Sequence, residues 1–261
     1  MKILAIVGSP RKGESYKLIQ EIEKRLKRYE DVCFEILMLR DYDIKSCTGC
    51  HLCINKEGPV CPLKDDTYLI ESKMKESDGI ILVSPLYSQH VTALMKSFID
   101  HLSYLWHRPR YFGRKAMVIA TGGASFKTTL KFMAAAAKAW GFHAVSRLGV
   151  PHLDALTPKF RQKIEKKIDK EIESFYMSIK EKKLPAPGIG DLMWFEMWKV
   201  NAIVCKESLP ADFPFWKERG WIDGSYYYNT QVNVWKWVIV KLLGWLGKNY
   251  MRKVYKGYDV L

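Results

Sequence analysis

The sequence of 261 residues lacks several features that would assign it to a common class. No apolar run reaches the roughly 20 residues needed to cross a bilayer, and the apolar start at residues 1–7 is too short for a secretory signal. The Walker A spacing and G-x-G-x-x-G are both absent, which disfavours a nucleoside triphosphate site and a Rossmann-type dinucleotide fold. We therefore expect a cytoplasmic protein that binds neither kind of ligand in those ways.

Acidic residues are few beside the basic ones. The chain has 42 Lys and Arg against 28 Asp and Glu, which gives a formal net charge of +14. This charge fits an anionic ligand, an acidic partner protein, nucleic acid or a membrane surface. Because the basic residues are spread along the chain rather than packed in one block, we expect no nucleic-acid partner.

Five short apolar segments alternate with helical patterns in the first 184 residues. The predicted strands are residues 3–7, 32–39, 79–83, 115–121 and 142–150. The predicted helices are residues 16–28, a helix opened by Asp65 and Asp66, and residues 91–105, 128–140 and 158–183. This alternation predicts an α/β fold with a parallel sheet covered on both faces. Cys33, inside the second strand, is expected to be a small core residue.

Three of the predicted strands end in loops of unusual composition. They read GSPRKGES at residues 8–15, SPLY at 84–87 and TGG at 121–123. The first loop precedes a helix, whose free N–H groups would form an anion site together with Ser9, Arg11 and Ser15. Because the carboxyl ends of parallel strands meet at one edge, a single ligand could touch all three loops. A monophosphate is the natural anion for such a loop.

In this order, GSPR at residues 8–11, SPLY at 84–87, KSFID at 96–100 and TGG at 121–123 resemble one known family. It is the flavodoxin-like NAD(P)H-dependent FMN reductase family, in the branch that contains the iron–sulfur flavoproteins. The resemblance covers about residues 1–180. It implies a doubly wound five-stranded parallel sheet of order 2-1-3-4-5, with FMN as cofactor and NAD(P)H as electron donor.

The resemblance also implies which residues bind FMN. They are Ser9, Arg11, Lys12, Gly13 and Ser15 at the phosphate, Pro85, Leu86 and Tyr87 along the isoalloxazine ring, and Thr121, Gly122 and Gly123 at its pyrimidine side. Hydride transfer between nicotinamide and flavin needs no protein acid or base, so no catalytic residue is predicted.

Two positions depart from the family pattern. Glu14 stands where many relatives have Asn, and we expect its carboxylate to face solvent because it would repel a phosphate. His101 stands where relatives usually carry Arg, which puts in doubt any ion pair or subunit contact that the Arg makes.

Four of the six cysteines lie within 15 positions, at Cys47, Cys50, Cys53 and Cys61. In a reducing compartment such clustering indicates metal or redox use rather than disulfides. The spacing C-x2-C-x2-C-x7-C resembles the motif of iron–sulfur flavoproteins, in which all four cysteines hold one [4Fe–4S] cluster. Free or redox-active thiols, with Cys50 and Cys53 as a pair, and a four-thiolate zinc site are the alternatives.

A Pro-Ala-Pro-Gly break at residues 185–188 separates the predicted domain, residues 1–184, from an extension, residues 185–261. Seven of the nine tryptophans follow this break. The extension is predicted to be mainly helical, with helices at 192–205 and 235–247, an irregular aromatic loop at 210–228 and a basic tail. The basic residues of that tail are Lys248, Arg252, Lys253 and Lys256.

Apolar positions nearly surround the predicted helix 235–247. We therefore expect it to be buried against the sheet domain or against a neighbouring subunit, in a homodimer or higher homo-oligomer. A membrane interface is the less favoured alternative, and an acidic partner protein held by the basic surface is the least favoured.

Three functions are compatible with the sequence. The leading one is an FMN-dependent NAD(P)H oxidoreductase that passes electrons to a small acceptor such as a quinone or another flavin. The second is an iron–sulfur flavoprotein that exchanges electrons with ferredoxin through a [4Fe–4S] cluster. The third is a flavin-binding sensor or interaction module without enzymatic activity.

Overall fold

The computed structural model describes residues 1–29 and 31–254. One parallel sheet has the strand order β2-β1-β3-β4-β5. Its strands are β1 (Lys2–Val7), β2 (Cys33–Met38), β3 (Gly79–Pro85), β4 (Lys115–Gly122) and β5 (His143–Pro151). The α/β fold class and the predicted strand order are both confirmed.

Helices follow the strands or form the extension. They are α1 (Glu14–Leu26), α2 (Leu52–Asn55), α3 (Thr67–Glu76), α4 (Ala93–His101), α5 (Tyr104–His107), α6 (Lys127–Ala139), α7 (Pro158–Glu181), α8 (Ile189–Val204), α9 (Asp212–Glu218) and α10 (Val234–Val254). The single helix predicted at 91–105 is thus two helices, α4 and α5. The very short α2 has too few residues to show a helical repeat in the sequence.

The central strands are buried on both faces, as their continuous apolar sequences predict. Ala5 of β1 pairs with Ile36 on one side and with Ile81 on the other, and both Ala5 and Ile81 are fully buried. The prediction that Cys33 is a core residue was wrong, because Cys33 begins edge strand β2 and is exposed. The first residue of an edge strand has neighbours on fewer sides than a residue in the middle of the sheet. An apolar sequence around it therefore does not ensure burial.

The chain divides into two compact units. The first comprises Met1–Gly49 and Pro62–Lys183, and the second comprises Cys50–Cys61 together with the described residues from Leu184 onward. The first unit contains the whole sheet. The domain boundary that the sequence places after residue 184 stays a prediction.

The core of the second unit is aromatic. The Trp216 ring lies 5.5 Å from Phe195 and 5.3 Å from Trp221, between ring centroids, and Trp221 lies 4.9 Å from Tyr227. The Trp221 indole Nε1 also donates to the Tyr227 carbonyl at 3.0 Å. The prediction of an irregular loop over 210–228 was wrong in part, because α9 forms within it and buries Phe215 and Trp216.

Helix α10 is the second correction. Val240 is buried at 1% exposure, but Trp235 is 76% exposed and Trp245 is 60% exposed. The expected burial on all sides is therefore wrong within this chain. Among the residues that the structure describes, no helix is both long enough and apolar enough to cross a membrane. The side chains of Lys248, Arg252, Lys253 and Lys256 in the predicted basic tail lie outside the described part.

Candidate functional site

The first loop begins at a tightly fixed glycine after β1. The Gly8 N–H donates to the Val83 carbonyl at 2.7 Å, and the Thr92 hydroxyl donates to the Gly8 carbonyl at 2.5 Å. A Cβ atom at Gly8 would lie 2.7 Å from the Met95 Cβ, which is too close for any side chain. Position 8 therefore needs glycine because α4 packs directly against the loop.

The loop then opens helix α1 without a side-chain cap. Gly13 precedes the helix and forms no side-chain cap hydrogen bond. The first backbone hydrogen bond of the helix runs from the Lys17 N–H to the Gly13 carbonyl, at 3.0 Å. The N–H groups of residues 12–16 donate to no acceptor in the described chain. Such free N–H groups at a helix N-terminus, beside the exposed Arg11 and Lys12, suit a phosphate.

The loop's own side chains give it a defined shape. Ser9 is buried, and its hydroxyl donates to the Arg11 carbonyl at 2.7 Å while accepting from the Arg11 N–H at 3.3 Å. Arg40 adds a second link, since its guanidinium donates to the Pro10 carbonyl at 2.9 Å. The Ser9 hydroxyl is thus used inside the loop, where it shapes the backbone around the free N–H groups.

Thr121 at the end of β4 joins the three loops. Its hydroxyl lies 2.7 Å from the buried Ser15 hydroxyl of α1, and its carbonyl accepts from the Leu86 N–H at 2.8 Å. The structure therefore brings together residues from all three predicted loops at the carboxyl edge of the sheet. Their roles in binding FMN stay a prediction.

The second loop ends in a tight reversal. Tyr87 and His90 exchange two backbone hydrogen bonds of 3.0 Å, while Ser88 and Gln89 between them have φ angles of +49° and +62°. Non-glycine residues in this left-handed region store strain of about 1–3 kcal/mol each. The reversal leaves Tyr87 45% exposed, while His90 packs on Phe132 with ring centroids 4.7 Å apart.

The third loop presents open backbone. Gly122 has a φ of +154°, and a Cβ there would lie 3.1 Å from the Leu86 Cβ, so this glycine meets the second loop closely. A Cβ at Gly123 would meet nothing within 4 Å. A ligand could therefore approach the Gly123 backbone without moving any neighbour.

The two departures from the family pattern have local partners. The Glu14 carboxylate lies 2.5 Å from His152 Nδ1, and both side chains are about half exposed. His101 is buried, with its Nε2 2.7 Å from the Lys45 carbonyl and 3.3 Å from the Asp65 carboxylate. His101 is thus bound within its own chain, whereas Glu14 remains close to the α1 N-terminus.

A groove of about 450 Å³ lies between α1 and α7 at the ends of β4 and β5. Thr121 belongs to its lining, which otherwise mixes both charges, including Lys17, Arg25, Asp154 and Arg161. No sequence pattern indicates this groove, because its walls come from elements far apart in the chain.

Sequence reasoning also missed Thr92. Its hydroxyl accepts from the Met95 N–H at 3.2 Å, which caps α4, and it donates to Gly8. A threonine directly before a helical pattern is a cap signal, but nothing in the sequence indicates the contact with Gly8.

The cysteine segment divides between the two units, with Cys47 in the first and Cys50, Cys53 and Cys61 in the second. All six cysteines are free thiols. The Cys47 sulfur accepts from the Gly49 N–H at 3.4 Å. In the part of the chain that the structure describes, no three Cys, His, Asp or Glu side chains are grouped to hold a metal ion.

The chemistry of the donor set nevertheless fits iron and sulfide, because four thiols without a disulfide supply the ligands of a [4Fe–4S] cluster. The ligand set Cys47, Cys50, Cys53 and Cys61 stays a prediction.

Hydrogen bonds join the residues just before the cysteine segment, 43–45, to the residues just after it, 65–66. The Asp43 N–H donates to the Asp66 carboxylate and the Asp66 N–H donates to the Asp43 carbonyl, each at 2.8 Å. The Lys45 N–H donates to the Asp65 carboxylate at 3.1 Å, next to His101. The two aspartates that were predicted to open a helix therefore also tie residues 43–45 to residues 65–66.

With this geometry in place, comparison with known proteins identifies the family. The family model described as NADPH-dependent FMN reductase matches residues 1–150. The chain belongs to this family.

Curated relatives lie in its iron–sulfur flavoprotein branch. One iron–sulfur flavoprotein of Archaeoglobus fulgidus is 32% identical over 235 residues, which cover 85% of this chain and 100% of that relative. A second from the same organism is 40% identical over 100 residues, or 38% of this chain, and that match spans 48% of the relative.

Solved structures agree on the fold. An NADH:FMN oxidoreductase in its apo form superposes with a TM-score of 0.51 at 20% identity, and the match covers 71% of this chain and 91% of that one. The family model and the relative with 32% identity confirm the predicted family. FMN as cofactor and oxidoreduction as the reaction class are confirmed at the level of the family.

Proposed function

We propose that this protein is an FMN-dependent oxidoreductase that takes electrons from NAD(P)H and passes them to a small acceptor such as a quinone or a flavin. The observation that carries the proposal is the free N-terminus of α1, joined through Ser15 and Thr121 to the second and third loops. Membership of the FMN reductase family supports the same conclusion.

Each loop has a distinct part in this proposal. The N–H groups of residues 12–16 bind the FMN phosphate, with Arg11 and Lys12 supplying positive charge. The exposed Tyr87 and the second loop pack along the flavin ring, and the open backbone at Gly123 lies along its pyrimidine side. FMN held by these loops would supply the hydride acceptor for a reduced nicotinamide and the electron donor for the small acceptor. The chain itself therefore supplies binding and orientation.

The test is to purify the full chain, release its cofactor and identify it chromatographically. We expect FMN at about one per chain, and we expect NADH or NADPH to bleach the flavin absorbance within a turnover. A chain that binds no flavin after reconstitution with FMN would refute the proposal. Flavin that both nicotinamides leave oxidised would refute the NAD(P)H donor and would favour ferredoxin.

A second function is favoured by the cysteine segment. We propose that Cys47, Cys50, Cys53 and Cys61 bind one [4Fe–4S] cluster, which would exchange single electrons with a protein donor such as ferredoxin. The support is the set of four free thiols and the relatives described as iron–sulfur flavoproteins. The segment would gather its sulfurs as the cluster is inserted, because structural metal centres commonly order their own ligands.

Iron and acid-labile sulfide analysis under anaerobic conditions tests this second proposal. We expect about four irons per chain, and we expect Cys50→Ser to lose most of them while retaining FMN. Cys33→Ser is the matched control, because Cys33 is also an exposed free thiol but lies outside the segment. Iron-free protein after anaerobic reconstitution would leave the four cysteines as redox thiols.

A homodimer or higher homo-oligomer and a cytoplasmic location complete the proposal. Light scattering on the purified chain measures the first.

A further inference from the structure

Among the side chains of the second unit that the structure describes, the largest exposed apolar feature lies on α10. We define the α10 stripe as Trp235, Val238, Leu242 and Trp245, which are 76%, 53%, 57% and 60% exposed. Their spacing of three, four and three residues places them on one face of the helix. A continuous apolar stripe of this size on a surface marks an interaction site.

The opposite face of α10 is already used. Val240 is buried at 1% exposure, and α10 packs on α8. The Lys236 ammonium donates to the Pro187 carbonyl at 3.0 Å, and the Lys241 ammonium lies 3.5 Å from the Glu196 carboxylate. These contacts hold α10 in place through residues outside the stripe. The stripe itself is exposed and can bind a partner from outside the chain.

The charge around the stripe indicates which partner. No Asp or Glu occurs from Gly224 to Tyr258, a stretch that contains six basic residues. They are Lys236, Lys241, Lys248, Arg252, Lys253 and Lys256. Two copies of the chain that paired along this helix would bring like charges together in either orientation. An anionic surface would instead be attracted along the whole length of the helix.

The types of apolar residue agree with this. Tryptophans stand at both ends of the stripe, with valine and leucine between them, and tryptophan prefers the boundary between lipid headgroups and acyl chains. The helix is not apolar enough to span a bilayer. An apolar stripe with basic surroundings instead suits a helix that lies in the plane of the interface.

We propose that the α10 stripe docks this protein on an anionic lipid bilayer surface. Basic residues of this acid-free stretch, among them Lys241 with 63% of its side chain exposed, attract lipid phosphates, while Trp235, Val238, Leu242 and Trp245 enter the headgroup region. Each basic residue held near such a surface strengthens binding about fivefold. The membrane alternative, less favoured by sequence, thus becomes the favoured one because the apolar face is exposed. The proposal rests neither on the flavin nor on the cluster.

Sedimentation of the full chain with lipid vesicles tests the proposal. We compare vesicles of phosphatidylcholine alone with vesicles in which one third of the lipid is phosphatidylglycerol. We expect binding to the anionic vesicles, with a blue shift of tryptophan fluorescence, and we expect both to weaken as salt is added. Pure phosphatidylcholine should bind at least about tenfold more weakly.

Leu242→Glu is the informative variant. It removes one apolar side chain from the stripe and adds a carboxylate that anionic lipid repels, so binding should weaken at least about tenfold. Leu69→Glu is the matched control, because Leu69 is 50% exposed on α3 and should leave binding unchanged. Trp235→Gln serves as a second stripe variant if Leu242→Glu loses its helical circular dichroism.

Three results would overturn the proposal. One is a wild-type chain that stays in the supernatant with anionic vesicles. Another is equal loss of binding in Leu242→Glu and Leu69→Glu. The third is a dimer that Leu242→Glu dissociates while vesicle binding is absent, which would show that a second copy of the chain covers the stripe.

Discussion

The sheet of the first unit and the core of the second unit are built from different kinds of side chain. The sheet strands are aliphatic, with Ile3, Ile6 and Ile81 fully buried in neighbouring strands. The second has an aromatic core in which Phe195, Trp216 and Trp221 pack mainly edge-to-face or tilted. An aliphatic strand pairs its backbone with neighbours on both sides, whereas the second unit has helices and turns whose cohesion comes from a few large rings.

This difference has a consequence for mutation. In the sheet, many small side chains share the burial, so that each one contributes a modest part. In the second unit, single rings account for much of the buried apolar area. One ring substitution should therefore destabilise this unit more than one substitution destabilises the sheet.

The largest expected effect is that of Trp216→Ala, which removes a fully buried ring in contact with Phe195, Trp221 and Tyr227. We expect a loss of about 3–5 kcal/mol in the free energy of unfolding, since the cavity cannot be filled by the remaining rings. Urea unfolding followed by tryptophan fluorescence measures it.

Trp235→Ala is the control for this variant, because Trp235 is 76% exposed and its removal should change stability by less than about 0.5 kcal/mol. Equal losses of stability in the two variants would contradict the conclusion that a few buried rings stabilise the second unit.

The next effect is expected in the first unit, at Gly8→Ala. The added Cβ would lie 2.7 Å from the Met95 Cβ, so α4 and the first loop must separate, at a cost of about 1–3 kcal/mol. Thermal unfolding measures the cost, and FMN titration should show weaker binding. Gly190→Ala in α8 is the control, because a Cβ there meets nothing within 4 Å and alanine suits a helix better. A stable Gly8→Ala chain would mean that the loop is looser than its hydrogen bonds indicate.

A smaller effect is expected for the hydrogen bond between Ser15 and Thr121. Ser15→Ala and Thr121→Val each remove one buried hydroxyl, and the double variant should show a coupling of about 1 kcal/mol in stability. FMN affinity should fall in both single variants, because the bond joins the first loop to the third. Additive effects without coupling would show that the two hydroxyls act separately.

The smallest effect concerns Glu14, which lies at the start of α1 and contacts His152. Glu14→Gln removes a negative charge near the free N–H groups, so FMN should bind roughly twofold to fivefold more tightly, most clearly at low salt. Fluorescence titration of FMN measures the change. Glu21→Gln, further along the same helix, should leave the affinity unchanged, and an equal gain there would assign the effect to net charge alone.

The same contrast explains how far the sequence could be interpreted. The apolar runs of residues 3–7 and 79–83 follow the strand pattern directly, and so do the loops after them, since short β-branched runs bounded by Gly and Pro have few alternatives. The aromatic residues of the second unit follow no regular spacing that would predict a helix or a strand. Phe215 and Trp216 lie in a stretch of Pro, Phe and Trp whose helical state depends on the rings that meet it.

For the candidate site, the sequence alone indicated the three loops but not how they are fixed. Ser15 and Thr121 are 106 positions apart, and only the parallel sheet brings their hydroxyls together. Thr92 and Gly8 are 84 positions apart and meet for the same reason.

The sequence by itself determined the α/β class, the strand segments and the loops at their ends, because these follow from local periodicity and from glycine and proline. The tertiary structure alone decided which hydroxyls meet at Thr121, that Cys33 is exposed at an edge, and that one face of α10 remains uncovered. Those outcomes depend on which distant segments pack together, and burial is set by such neighbours rather than by a residue's own place in the chain.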